Sequence, residues 1–192
     1  LLTSLDLVSQ TLREWRRWGV DDDWEALAVC SSVSEAVERT TDPEVIARFL
    51  AATDGPTRRV VFSTYHSADK VAASLADDGD GSFDLMICDE AHVTAGRGSK
   101  RFARPLDDGF LSARRRLFLT ATPRIYDGIK AGASDDGDGA VPLIASMDDP
   151  AMYGRVVYRL SHADAVRAGV VAPLQLVFLN TTEAYERLVG GA

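Results

Sequence analysis

Two adjacent carboxylates, Asp89 and Glu90, end an apolar run at residues 85–88, and His92 follows. Neighbouring acids at such a place suit a split of roles, one holding a divalent cation and the other orienting or deprotonating an attacking water. Hydroxyl groups collect at two further places, Ser63-Thr64-Tyr65 and Thr120-Ala121-Thr122, each just after another short apolar run. A short apolar run bounded by polar residues reads as a strand buried on both faces of a parallel sheet. Ligands of open α/β sheets bind at the carboxyl ends of the strands. The three polar clusters are therefore expected to converge on one sheet edge.

The elements that must hold them alternate along the chain. Leu5, Val8, Leu12 and Trp15 recur at helical spacing, with Thr3 or Ser4 as the cap and Gly19 as the stop. Residues 26–30 read as a strand. Thr41-Asp42-Pro43-Glu44 opens a helix with Thr41 as its hydroxyl cap, and Val45, Ile46, Phe49 and Leu50 give it an apolar face. Gly55-Pro56 is a turn, residues 59–63 a strand and residues 67–75 a helix. The acid-bearing strand comes next, then a polar loop from His92 to Arg104 and a short helical piece near residues 105–111. Residues 115–119 form the strand before Thr120. A Gly-, Asp- and Ala-rich loop spans residues 128–149. Residues 156–160 are expected to be a strand, Ser161 with Asp164 to open a helix ended by Gly169, residues 174–179 to form a further strand, and Thr181 or Thr182 to start a last helix. Strands alternating with helices are the pattern of a doubly wound parallel sheet.

Composition narrows the field without deciding it. A chain of 192 residues with 46% hydrophobic and 26% charged residues is ordinary for one globular domain, with room for the start of a second. No apolar stretch approaches the roughly 18–20 residues that cross a bilayer, and the first residues lack the basic start and apolar core of a signal peptide. No membrane partner is expected. Cys30 and Cys88, the only cysteines, lie in apolar runs and read as buried free thiols, which fits a cytoplasmic location. The net charge of -8 argues against nucleic-acid binding through a bulk positive surface, yet leaves room for phosphate contacts through amides, hydroxyls and a few arginines. Three histidines and two cysteines show no zinc spacing. The acidic stretches near Asp78 and Asp136 fail the calcium-loop template, because neither has the terminal glutamate. Trp15, Trp18 and Trp24 read as packing residues, and residues 114–116 as a solvated arginine entry to a strand.

Taken in order, these residues resemble a known family. Asp89-Glu90-Ala91-His92 resembles the DEAH box of superfamily 2 helicases and translocases, and Thr120-Ala121-Thr122 resembles their motif III. Thr3-Ser4 with residues 5–10 resembles motif Ia, and residues 63–67 the Ser/Thr-Tyr-x-Ser element of motif Ib in duplex-tracking members. Residues 158–173 resemble the segment joining the first RecA-like lobe to the second. The likeness extends to motor subunits of restriction enzymes and phage-defence proteins. A four-letter match alone is weak, whereas five ordered elements are specific.

The resemblance implies an α/β fold: an incomplete RecA-like parallel sheet with flanking helices over residues 1–172, and a linker with the start of a second lobe over residues 173–192. It implies ATP and Mg2+ as cofactors. Asp89 would hold the metal through a water, and Glu90 would activate the water that attacks the γ-phosphate, because phosphoryl transfer needs positioning and charge neutralisation more than covalent help. His92, Thr120 and Thr122 would couple that site to the second lobe and to DNA. Ser4, Gln10, Ser63, Thr64 and Tyr65 would touch the phosphate backbone of DNA, preferably duplex, without reading sequence. Nuclease or methyltransferase domains or subunits are the implied partners.

One departure matters. The family's phosphate loop, G-x-x-x-x-G-K-[ST], is absent, and the only lysines, Lys70, Lys100 and Lys130, follow the place it should occupy. The chain is therefore expected to be part of a longer protein and to lack ATPase activity alone. A non-catalytic helicase-like interaction or DNA-binding module and an RNA helicase remain alternatives.

Overall fold

The computed structural model describes residues 1–18, 23–54, 58–75, 81–97, 101–126 and 144–174. The expected helix stop at Gly19, the Gly55-Pro56 turn, most of the loop at 128–149, the strand from residue 175 onward and the helix start at Thr181 or Thr182 lie outside the described residues. The chain divides into two compact units, Leu1–Gly154 and Arg155–Ala192.

The first unit opens with α1 (Leu5–Trp18). Its cap is Ser4, whose Oγ accepts the Leu7 N–H at 3.2 Å. Asp6 lies in the first turn and Arg16 and Arg17 in the last, which suits the helix dipole. Val8 and Leu12 are fully buried. Trp15 meets Phe62 and Trp24 edge-on, with ring centroids 5.4 and 6.2 Å apart.

Strands β1 (Trp24–Val29), β2 (Glu38–Thr40) and β3 (Arg58–Ser63) form a parallel sheet in the order β2-β1-β3. Because side chains alternate along a strand, β1 feeds two cores. Leu27 and Val29 pack with Ile46, Tyr65, Val71 and Leu111, while Ala28 packs with Leu2, Val8, Leu12, Cys30 and Phe62. Helix α1 covers the second face. Helices α2 (Pro43–Ala51) and α3 (Ala68–Leu75) supply Ile46 and Val71 to the first. The α2 cap is Asp42, which accepts the Glu44 N–H at 2.9 Å, one residue later than expected. Thr40 occupies the preceding turn by accepting the Asp42 N–H.

Strands β4 (Met86–Cys88) and β6 (Arg116–Phe118) pair in parallel, and β5 (Gly96–Arg97) pairs antiparallel with β7 (Ile144–Ala145). Among the described residues, the backbone bonds between the β1–β3 and β4–β6 sheets run through residues 1–2. Leu2 donates to the Ser63 carbonyl and accepts from the Tyr65 N–H, both at 2.9 Å. Leu1 donates through its amine to the Ile87 carbonyl at 2.6 Å and accepts from the Asp89 N–H at 3.0 Å. Both patterns are parallel ladders. Residues 1–2 therefore act as strand between β3 and β4, and the sheet reads β2-β1-β3-(1–2)-β4-β6.

Several expectations change. Residues 156–160 are not a strand: Val156, Val157 and Tyr158 are 69, 68 and 76% exposed, and no described segment pairs with them. β-branched composition favours a strand only when a neighbour supplies the ladder. The helical piece near 105–111 is instead a 3-10 turn over Arg101–Leu106. The 92–104 loop contains β5, and β2 was not apparent in its polar sequence. Arg116 is not solvated. It is largely buried, donates to the Pro105 and Leu111 carbonyls at 3.2 and 2.8 Å, and pairs with Asp108. Two short helices complete the described elements: α4 (Pro150–Tyr153) and, in the second unit, α5 (His162–Arg167), capped by Ser161 as expected. Cys30 and Cys88 are buried free thiols. No helix among the described residues is long and apolar enough to cross a membrane.

Candidate functional site

The end of β4 sets the site. Its ladder with β6 continues past the strand: Leu119 donates to the Cys88 carbonyl at 2.9 Å, and Ala91 donates to the Leu119 carbonyl at 2.8 Å. To bring the Ala91 N–H there, the chain turns at Glu90 through φ 49° and ψ 42°. A non-glycine residue in the left-handed region costs about 1–2 kcal/mol and persists only where its surroundings hold it. Here the turn points Asp89 and Glu90 differently. Asp89 Oδ1 accepts the Glu90 N–H at 2.9 Å. The Glu90 carboxylate turns toward His92, with Oε2 3.2 Å from Nδ1.

The same ladder carries Thr120 to His92. Thr120 Oγ1 lies 3.1 Å from His92 Nδ1 and accepts the Thr122 N–H at 3.1 Å, while Thr122 Oγ1 stands 3.4 Å from Nδ1. One ring nitrogen thus faces a carboxylate and two hydroxyls. A proton on Nδ1 would suit the Glu90 carboxylate, which can only accept. Nδ1 can donate well to only one of these oxygens at a time. The structure therefore brings four of the sequence-derived residues, Glu90, His92, Thr120 and Thr122, into one cluster. They come from two strand ends that are about 30 residues apart in the chain.

The hydroxyl cluster after β3 is placed differently. Ser63, Thr64 and Tyr65 are all buried. Ser63 Oγ donates to the Thr64 carbonyl, and Thr64 Oγ1 to Ser67 Oγ at 3.1 Å. The Tyr65 hydroxyl donates to the Asp89 carbonyl at 2.9 Å, so this tyrosine ties the end of β3 to the acid pair. Burial pushes the Tyr65 phenol and the Cys88 thiol up, so both stay neutral. Ser4 and Gln10 are exposed on the first turns of the chain, and Ser4 already serves as the α1 cap.

Sequence reasoning missed two supports. Thr94 is fully buried beneath the acid turn, where its Oγ1 bonds the Ala91 carbonyl at 2.7 Å and the Tyr153 hydroxyl at 2.9 Å. Tyr153 in turn packs edge-on against Phe118 of β6, with centroids 5.0 Å apart. Arg101 donates to the His66 carbonyl and to Asp69, fixing the turn after Tyr65. These partners are far apart in sequence and carry no local signature.

Comparison with known proteins agrees with this geometry. A nuclease-deletion mutant of the Type ISP restriction-modification enzyme LlaGI, solved with a DNA substrate mimic, superposes with a TM-score of 0.67 at 28% identity, covering 88% of this chain and 13% of that one. The ATP-dependent Type ISP restriction-modification enzyme LlaBIII, solved bound to DNA, superposes with a TM-score of 0.63 at 29% identity, covering 88% of this chain and 12% of that one. The chain thus spans about one eighth of each of these enzymes. No curated protein matches it. The sheet is that of a first RecA-like lobe of the superfamily 2 helicase type, in incomplete form. Residues 1–125, which hold the acid turn, the threonine loop and the Tyr65 link, match the family described as Type III restriction enzyme, res subunit; the chain belongs to that family.

Proposed function

We propose that this chain is a motor lobe of an ATP-dependent DNA helicase or translocase, serving a bacterial restriction or phage-defence system. The observation that carries the reading is the His92 cluster. An acid suited to activating water, Glu90, shares a ring nitrogen with two hydroxyls from the next strand end. A group that feels both can pass a change at the nucleotide to the rest of the motor.

Asp89 suits a magnesium ion. Asp89 uses one oxygen for the Glu90 N–H, and its other oxygen accepts no hydrogen bond among the described residues. A single carboxylate oxygen with water and phosphate oxygens is a hard donor set of the kind Mg2+ takes. When bound, the metal supplies positive charge against the phosphate oxygens. Asp89 would hold the metal through a water. Glu90 takes the proton of the attacking water and orients it. His92, Thr120 and Thr122 exchange hydrogen bonds as the nucleotide state changes. Ser4 and Gln10 are the exposed candidates for contact with the DNA backbone. Thr64 and Ser63 need local rearrangement to join them, because both are buried. We assign Tyr65 to positioning Asp89 rather than to stacking, on the strength of its buried bond to the Asp89 carbonyl. The LlaGI and LlaBIII complexes with DNA support DNA as the track, and nuclease or methyltransferase regions as the partners. The two buried thiols suit a reducing cytoplasm.

The test is Glu90→Gln in the full-length protein. ATP turnover should fall by at least about 100-fold, with ATP and DNA binding retained. Turnover near the normal rate removes Glu90 from the water-activating role. A second reading, a helicase-like module without catalysis, is favoured by the missing phosphate loop in these 192 residues. No DNA-dependent ATP turnover in the full-length wild-type protein would establish it.

A further inference from the structure

Residues 144–153 bond to the chain just after both chemical clusters. β7 pairs with β5, a few residues beyond the acid turn. Met147 donates to the Arg124 carbonyl at 3.0 Å, and Ser146 Oγ accepts the Tyr126 N–H at 3.0 Å, which holds the stretch that follows Thr120 and Thr122. Asp149 then caps α4 by accepting the Ala151 N–H at 2.8 Å, and α4 ends on Tyr153. The Tyr153 ring meets Phe118 of β6, while its hydroxyl reaches Thr94 at the end of the 3-10 turn Ala91–Thr94 that carries His92. One side chain therefore touches both strand ends of the candidate site from outside the Glu90, His92, Thr120 and Thr122 cluster.

The direction of these hydrogen bonds is fixed. A carbonyl can only accept, so the one Thr94 hydroxyl proton goes to the Ala91 oxygen at 2.7 Å. Tyr153 is then the donor to Thr94 Oγ1 at 2.9 Å. Burial pushes the Tyr153 phenol up, so it keeps the proton that it donates. The Ala91 peptide continues the series, because its N–H donates to the Leu119 carbonyl, one residue before Thr120. Aligned bonds of this kind polarise and strengthen one another. The series holds the residue that follows Glu90, whose left-handed φ of 49° persists only while its surroundings hold it. We propose that Tyr153 is a positioning residue for ATP hydrolysis: its hydroxyl, acting through Thr94, keeps the Glu90 turn and the threonine loop in register. The role rests on Glu90 activating water, and it assigns a part in that site to a residue 59 positions beyond Thr94.

The experiment uses the full-length protein with three substitutions. Tyr153→Phe keeps the ring on Phe118 and removes only the hydroxyl, Thr94→Val removes the relay, and Thr94→Ser keeps it. Amide hydrogen exchange is read over residues 89–95, with β1 as the control. Tyr153→Phe and Thr94→Val should each speed exchange over residues 89–95 by about fivefold and leave the control within about twofold, whereas Thr94→Ser should match the wild type. The kcat for ATP should fall by about fivefold in the first two variants, with KM within about twofold, and should return with Thr94→Ser. The double variant Tyr153→Phe/Thr94→Val should lose no more than Thr94→Val alone, because both break one series. Unchanged exchange over residues 89–95, equal acceleration in the control, losses that multiply in the double variant, or no recovery with Thr94→Ser overturns the proposal. Faster exchange with an unchanged kcat also overturns it, by leaving Tyr153 a purely structural brace. These failures need a wild-type protein that hydrolyses ATP; a full-length wild-type protein without turnover overturns the motor reading itself, and the positioning role with it.

Discussion

β4 has two edges, and they differ in how much of the sheet they hold. On the β6 side the ladder runs from Met86 past Cys88 to Ala91, and Arg116 locks its start by bonding two carbonyls and Asp108. On the β3 side, among the described residues, the backbone bonds run through Leu1 and Leu2, and the Tyr65 hydroxyl adds a bond to the Asp89 carbonyl. The closed edge is where the candidate chemistry assembles, because a continuous ladder delivers Thr120 to His92. The β3 side ties the acid turn to the larger sheet through Tyr65. A strand thus has two separable roles: aligning side chains at its end, and completing a core along its length.

Substitutions along the β6 edge break or sharpen this contrast. After the loss of turnover expected for Glu90→Gln, the next largest effect belongs to Arg116→Met, at the start of the closed edge. It removes charged hydrogen bonds to two carbonyls and should destabilise the chain by about 2–3 kcal/mol, read as a lowered Tm. A change below about 0.5 kcal/mol would mean that the ladder alone holds this edge. His92→Ala, at its far end, should leave folding intact within about 0.5 kcal/mol. In the full-length protein it should lower DNA-stimulated ATP turnover by about tenfold while changing basal turnover less, because His92 is assigned to coupling. Equal loss of both rates would move His92 into the hydrolytic step itself.

Much of this was legible in order and type. Strands at β1, β3, β4 and β6 followed from short apolar runs, because a strand buried on both faces needs apolar residues at every position. The caps at Ser4 and Ser161 followed from hydroxyls placed before helical periodicity. Less legible were features fixed by partners distant in the chain. β2 is polar and exists because β1 lies beside it. The run at 156–160 has strand composition and no partner among the described residues. Arg116 looked like one of three solvated arginines until the turn at Arg101–Leu106 and Leu111 offered it carbonyls.

The sequence by itself determined the chemical groups and their order: two acids, a histidine and two threonines, each after an apolar run, in the arrangement that marks the family. Those facts are local, and local propensity and pattern carry them. Only the tertiary structure decided that His92 Nδ1 is shared by Glu90, Thr120 and Thr122, and that Tyr65 is turned inward to Asp89. Each of these depends on strand register, and register is set by pairing between segments that the sequence alone does not bring together.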